Sequence, residues 1–399
     1  MQPKLSRISD LHVDSVFGRY GVLVSGLPLH VPEAVNEDKA TRYHRLRRRA
    51  LLSAAGLTGL LFTLMLLTGA SKTLRDFVVP AASTDLAWLF GVVLFALCVG
   101  LCYEVITLPP RVYLGRLERR YRPSMASSDG AVQEYLEGTA VLLSVGPVGA
   151  VAMYAAIQAW PSSWWIIIGV SFSLVVMLLV KVGPIIVPWF ATVTPVVRPE
   201  LGLRLKRLAA RAGAADIKVY QYRMGSGSRR SNAALVGVGQ NRRILLSDTL
   251  VTDYSDEEIE IVLAHELAHH LHADIWKGLL IDLVMIMVGC YTASRALVVL
   301  GPSLGLFGSS DPAGLPLVIL TGGTIAVAMM PFANFLSRQQ ERRADRFALE
   351  LTRSPKAFVS VIRRIGEEHL AERPSPWLAF LCYAHPPVHE RIATAGNLT

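Results

Sequence analysis

The sequence predicts a mainly α fold: a polytopic α-helical membrane protein of about six spans that also carries a polar α+β domain. The chain has 399 residues, is 52% hydrophobic and has a mean hydropathy of +0.40, which is too apolar for an ordinary soluble protein of this size. About six stretches are long and apolar enough to cross a bilayer. A polar block with mixed helix and strand patterns separates the fourth stretch from the fifth.

Charge and cysteine content narrow the class of protein. The net charge is +9, without a compact basic and aromatic patch, which favours arginine-rich loops facing the cytoplasm over nucleic-acid binding. The four cysteines form no CxxC pair, and we interpret them as buried small hydrophobic residues. We therefore expect the lipid bilayer, and no nucleic acid, among the partners.

The first half of the chain is predicted to be a tail followed by membrane spans. Residues 1–50 are polar, end in TRYHRLRRR and are interpreted as a cytoplasmic amino-terminal tail. Residues 51–190 form a four-span membrane region. Because proline lacks the helical N–H donor, we expect Pro109 and Pro110 to end the second span and Pro184 and Pro188 to interrupt the fourth.

The second half alternates between polar and apolar regions. Residues 191–274 are predicted to be cytoplasmic, with a helix over 201–212 and strands over 217–222, 233–238 and 243–247. A further helix follows, and Ser255 as N-cap with Glu258 as its capping-box partner predicts where it begins. Residues 275–336 are predicted to be a transmembrane hairpin, and residues 337–399 a carboxyl-terminal region that includes an amphipathic helix.

The distribution of arginines predicts the orientation. They are concentrated in the amino-terminal tail, in the 111–122 loop and after residue 336, while the opposite loops carry almost no positive charge. By the positive-inside rule, both termini and the 191–274 region lie in the cytoplasm. The chain is thus predicted to be a multi-pass protein of the cell inner (plasma) membrane.

The segment IVLAHELAHH carries His265, Glu266 and His269 in the spacing HExxH. Helical positions i and i+4 share one face, so the two imidazoles can bind one metal ion while Glu266 takes a proton from water. Two histidines in a helical core are the alternative interpretation. The helix is apolar nearly all round, however, so these polar side chains need partners that one zinc ion would supply. We therefore predict a zincin-like metallopeptidase domain with one Zn²⁺ per chain, its active site cytoplasmic.

A third metal ligand is expected after the hairpin, because a catalytic zinc site uses three protein ligands and one open position. The hairpin returns the chain from the HExxH helix to SRQQERRADRF. Glu341 and Asp345 are spaced i and i+4 on this segment, so both can lie beside His265 and His269. A salt-bridged surface helix, with the neighbouring arginines as partners, is the alternative interpretation.

Three blocks of the sequence carry a family resemblance. They are residues 230–270, which run from RSNAALVGVGQ to the HExxH helix, NFLSRQQERRAD at 334–345 and HPPVHERI at 385–392, with weaker similarity at 104–123 and 184–201. On these blocks the chain resembles the type I CAAX prenyl proteases and the related HtpX-like membrane zinc metallopeptidases. The resemblance implies an integral membrane zinc metalloendopeptidase that hydrolyses peptide bonds of peptide or membrane-protein substrates at the cytoplasmic face.

The resemblance also implies roles around the metal. His265, His269 and Glu341 would bind zinc, and Glu266 would act as general base and acid. Asp345 would hold a ligand histidine by a hydrogen bond.

Further roles follow from the other two blocks. His385 would stabilise the oxyanion of the tetrahedral intermediate, and Asn232 and Ala233 would lie on an edge strand that pairs with extended substrate. Without the resemblance, His385 would be read as a capping or core histidine and residues 232–233 as the start of a strand.

Two features depart from the family pattern. Eukaryotic members have seven spans around a water-filled chamber, whereas we count six, with an amino-terminal span missing. The high Ala, Arg and Gly content suggests a bacterial protein, in which prenylated CAAX substrates are not expected.

Two other functions are less consistent with the sequence than proteolysis. A membrane sensor or signal transducer with a metalloprotease-like domain is disfavoured by the short outside loops, and an inactive scaffold by the complete motif.

Overall fold

Six helices long and apolar enough to cross a membrane dominate the structure. The computed structural model describes residues 38–78, 85–121, 128–214, 218–224, 233–236 and 243–396. Within them the candidate spans are Lys39–Leu67, Leu86–Tyr121, Tyr135–Ala159, Trp164–Val182, Asp274–Leu300 and Pro312–Thr352. The predicted number of spans and the mainly α membrane fold are therefore confirmed.

Five helices make up most of the described residues of the amino-terminal half. Its helices are α1 (Lys39–Leu67), α2 (Ala70–Val78), α3 (Asp85–Tyr121), α4 (Ser128–Ala159) and α5 (Trp164–Phe190). Helix α1 begins inside the segment predicted as a tail, so the arginine cluster at 42–49 lies on the first helix.

The prolines in the membrane region do not end helices. Helix α3 continues through Pro109 and Pro110, and α5 continues to Phe190. A membrane span tolerates proline because neighbouring groups take over the polar interactions that the proline removes. In α3 an ion pair spans the two prolines, with Nη1 of Arg111 2.8 Å from Oε2 of Glu104. The expectation that Pro109 and Pro110 end the second span was therefore wrong.

A four-stranded sheet and three helices follow α5. They are β1 (Ala191–Pro195), α6 (Pro199–Arg211), β2 (Lys218–Met224), β3 (Ala233–Val236), β4 (Arg243–Ser247), α7 (Asp248–Asp253) and α8 (Asp256–Leu271). The strand order is β1-β2-β4-β3, with β2 and β4 parallel and the two outer pairings antiparallel. Strands β2 to β4 match the predicted runs, whereas β1 was not predicted. Strand β3 forms an edge of the described sheet.

The carboxyl-terminal helices are α9 (Asp274–Leu300), α10 (Leu315–Thr352), α11 (Pro355–Glu368), α12 (Pro376–Cys382) and α13 (Val388–Gly396). Helix α10 is 38 residues long and is both a candidate span and part of the polar domain. Its Ala348 joins Leu263 of α8, Phe358 of α11 and Ile244 of β4 in one buried core. The segment that carries Glu341 is thereby held against the HExxH helix by the same helix that forms a candidate membrane span.

Candidate metal centre

Helix α8 presents the HExxH residues from a rigid, buried position. Its N-terminus has the predicted capping box: the Ser255 hydroxyl accepts from the Glu258 N–H at 3.3 Å, and the Glu258 carboxylate accepts from the Ser255 N–H at 3.0 Å. Leu263, Ala264 and Leu267 are fully buried around the motif. Apolar packing on both sides of His265 and Glu266 therefore fixes the helix rotation.

The two histidines and Glu341 converge on one point. The Nε2 atoms of His265 and His269 are 3.2 Å apart. One carboxylate oxygen of Glu341 lies 3.5 Å from Nε2 of His265, and the other lies 3.4 Å from Nε2 of His269. The structure thus brings together the three residues predicted as ligands, although α10 carries Glu341 from far along the chain.

The spacing of these atoms fits a tetrahedral metal ion. Bonds of about 2.0–2.1 Å at a tetrahedral centre place two ligand atoms about 3.3 Å apart. The three separations among His265, His269 and Glu341 all lie close to that value. Two imidazoles and one carboxylate also form a ligand set used by catalytic zinc sites.

Both histidines are oriented from behind by carboxylates. Nδ1 of His269 shares a hydrogen bond of 3.0 Å with Oδ2 of Asp274. Nδ1 of His265 lies 3.0 Å from Oδ1 of Asp345, which is within ion-pair distance. The angle between the two groups is not that of a hydrogen bond. Such contacts leave Nε2 of each ring free for a metal.

The two carboxylates are in turn held by arginines. Arg391 of α13 donates two hydrogen bonds to Asp345, at 2.8 and 2.6 Å, and Arg343 of α10 forms an ion pair with Asp274. Each histidine therefore has a carboxylate and an arginine behind it.

Electrostatics at the centre favour a cation between the histidines. Burial lowers the pKa of His265, but the carboxylates of Asp345 and Glu341 outweigh it and raise that pKa to about 9. The pKa of His269 is also raised against its burial, chiefly by Glu341 and Asp274. These carboxylates would stabilise a divalent ion in the same place.

Glu266 and His385 lie on the open side of the centre. Burial raises the pKa of the Glu266 carboxyl, which brings it closer to the range that suits a general base near neutral pH. Nδ1 of His385 lies 3.1 Å from Oε2 of Glu341, and two thirds of the His385 side chain is exposed. His385 thus contacts a candidate ligand, and its role in catalysis stays a prediction.

A cavity of about 410 Å³ opens onto these groups. Its lining includes Glu266, His385 and Ala233, so the edge strand β3 borders the centre. Asn232 lies outside the described residues.

Two functional contacts were not predicted from the sequence. Asp274 lies five residues after His269, outside the i, i+4 pattern, and Arg391 lies inside the third block, of which only His385 had been assigned a role. The acid at the start of the fifth span could have indicated Asp274, because a carboxylate there needs a polar partner.

Fold and site together define the class: a polytopic membrane protein with an HExxH centre is a membrane metalloprotease. Residues 195–399 match peptidase family M48, and the chain belongs to this family.

Similar proteins fall in the same class. The uncharacterized metalloprotease YhfN of Bacillus subtilis is 26% identical over 365 residues, which cover 89% of this chain and 84% of YhfN. A CAAX prenyl protease 1 homolog of Oryza sativa subsp. japonica is 29% identical over 276 residues, covering 66% of this chain and 63% of that protein. The crystal structure of S. mikatae Ste24p superposes with a TM-score of 0.72 at 20% sequence identity, covering 90% of this chain and 87% of that chain, which shows a shared fold.

Proposed function

We propose that the chain is a zinc endopeptidase whose single zinc ion is bound by His265, His269 and Glu341. The observation that carries the proposal is the set of three short separations among their ligand atoms. When bound, zinc would polarise the scissile carbonyl and lower the pKa of the attacking water.

The protein's own groups would move the protons. Glu266 would take a proton from water as the water oxygen attacks the carbonyl carbon. It would then deliver that proton to the leaving amine as the C–N bond breaks. His385 would donate from its Nε2 to the developing oxyanion, while its Nδ1 faces Glu341. Asp345 and Asp274 would keep the two histidines in the tautomer that binds metal.

The substrate would enter as an extended segment along β3. Strand β3 borders the cavity and lies at an edge of the described sheet, where a further strand can add through main-chain hydrogen bonds. Asn232 and Ala233 are proposed as contacts in this pairing. A similar protein bears the name CAAX prenyl protease 1, which supports peptide or membrane-protein segments as substrates. We place the active site and both termini on the cytoplasmic side of the inner membrane.

Metal analysis of the purified full-length protein tests the zinc assignment. About one zinc per chain is expected by elemental analysis, and His265→Ala should lose most of it. His389→Ala is the matched control, since His389 is exposed on α13. The zinc content of this variant should equal that of the wild type. Stoichiometric zinc in a His265→Ala/His269→Ala double variant would contradict the assignment.

A further inference from the structure

A second cavity lies between α9 and α10, on the face of α10 away from the metal centre. Its volume is about 750 Å³. Arg343, which lines it, follows Glu341 by two residues and therefore points about 200° around the helix from that ligand. Arg346 and Phe347 line the same side. This cavity is thus separate from the one that opens onto the HExxH residues.

Cations line one end of this cavity. Lys277, Arg343 and Arg346 contribute to the wall, against a single acidic lining residue, Glu350. Arg346 is exposed and, among the residues described, its side chain bonds only the Arg342 carbonyl oxygen, at 3.2 Å. The Nε of Arg343 is buried without a hydrogen-bond partner.

Nζ of Lys277 donates to the His272 carbonyl oxygen at 2.7 Å and lies 3.4 Å from Oδ1 of Asp274, which also pairs with Arg343. The three cations thus outnumber the two carboxylates, Glu350 and Asp274, and the excess positive charge lies at Arg346, which has no acidic partner among the residues described.

Apolar side chains line the end that faces the membrane span. Leu280 and Ile281 follow Lys277 by about one turn into α9, and Leu336 lies on α10 before the polar segment that carries Arg343. The exposed Trp276 lies beside Lys277 on α9, where tryptophans mark the level of the lipid headgroups. The cationic lining residues thus lie at the level of the membrane surface, and the apolar lining residues lie towards the membrane interior.

We propose that this cavity binds an anionic phospholipid, with its phosphate among Lys277, Arg343 and Arg346 and an acyl chain along Leu280, Ile281 and Leu336. Basic pockets between membrane helices suit anionic headgroups, and the apolar lower wall distinguishes a lipid from a free phosphate ion. Lipid binding here does not depend on the catalytic roles proposed above. Because Arg343 also pairs with Asp274, the bound lipid would adjoin the contact that orients His269.

Native mass spectrometry of the detergent-solubilised full-length protein tests the proposal. The probes are phosphatidylglycerol, phosphatidylcholine with the same acyl chains, and inorganic phosphate. Phosphatidylglycerol should bind at one lipid per chain and more tightly than phosphatidylcholine. Arg346→Gln should weaken its binding about fivefold, and Lys277→Gln/Arg346→Gln about 25-fold, since each cation near the headgroup contributes about 1 kcal/mol.

Arg342→Gln is the matched control. Arg342 lies one turn from Arg346 on the same helix, but it is not among the residues that line the cavity and it pairs with Glu390. Its removal changes the net charge equally and should leave lipid binding unchanged. Four results would overturn the proposal: equal binding of both lipids, equal weakening by the control, displacement of phosphatidylglycerol by inorganic phosphate, or a dimer mass in place of bound lipid.

Discussion

His269 and Asp274 connect the metal centre to the membrane. Nδ1 of His269 lies 3.0 Å from Oδ2 of Asp274, the first residue of α9. Ala273, between the two helices, adopts a left-handed conformation with φ 55°, which turns the chain so that Asp274 faces back towards α8. A residue that begins a candidate membrane span therefore orients a candidate metal ligand.

Replacement of Asp274 should weaken metal binding without removing a ligand. In Asp274→Asn the ring of His269 loses its charged acceptor, and we expect zinc affinity to fall about 10- to 100-fold. Chelator competition on the purified protein measures this. Asp253→Asn is the control, because Asp253 is exposed at the end of α7. Equal zinc affinity in Asp274→Asn and Asp253→Asn would show that the contact has no role in metal binding.

The capping box of α8 should make stability depend on pH. Burial raises the pKa of Glu258, but hydrogen bonds from the Ser360 hydroxyl and the Ser255 N–H outweigh it and hold that pKa below its usual value. The charged form thus stabilises the fold above the unfolded-state pKa of about 4.3, and this contribution is lost as pH falls through the folded-state pKa.

Glu258→Gln tests this dependence. At pH 7 it should destabilise the protein by about 1–2 kcal/mol, seen as a lower unfolding temperature, and the difference should shrink as pH falls below about 4.3. Glu257→Gln removes the neighbouring, exposed charge and should have little effect at either pH. A pH-independent difference would mean that Glu258 acts through its shape alone.

The elements predicted best were those with strong local signals. The start of α8 follows from Ser255 and Glu258, whose capping chemistry is contained in four residues. Glu341 was predictable because the hairpin of α9 and α10 constrains where α10 can return. The prediction failed where a local signal did not decide the structure: α3 continues through Pro109 and Pro110, and the Glu104–Arg111 ion pair joins the residues on either side of them.

Contacts between distant segments could not be predicted from the sequence. Strand β1 is short and pairs with β2 across the whole of α6, so its sequence alone does not distinguish it from a loop. The pairing of Arg391 with Asp345 joins α13 to α10, and nothing local to either residue selects the other. The predicted domain boundaries and membrane orientation stay predictions.

A reporter fusion tests the orientation. A reporter at the carboxyl terminus should read cytoplasmic, and one in the 301–314 loop should read external, because the arginines lie on the side of the metal centre. The two fusions are compared only if both insert into the membrane and are present at the same protein level. An external carboxyl terminus would move the active site to the other side of the membrane.

Glu266→Gln should separate binding from chemistry. The variant keeps the shape of the side chain and leaves His265, His269 and Glu341 in place, so zinc and substrate binding should persist. Cleavage of a model peptide should fall at least about a hundredfold, because the general base is gone. The same variant can trap bound substrates for identification by mass spectrometry. A cleavage rate within a few fold of the wild type would assign the base to another residue.

His385→Ala should lower turnover while leaving the centre assembled. If Nε2 of His385 donates to the oxyanion, its contact strengthens only in the transition state, and kcat should fall about 10²- to 10³-fold with little change in KM. The contact of Nδ1 with Glu341 gives a competing expectation: a residue that only positions this ligand would lose zinc in step with activity. Measuring kcat, KM, zinc content and unfolding temperature on one preparation distinguishes the two roles.

His385→Gln is the companion variant, since its amide can still donate a hydrogen bond and should recover part of kcat. Wild-type turnover in His385→Ala would exclude the oxyanion role, and zinc loss that accounts for all lost activity would assign His385 to positioning Glu341.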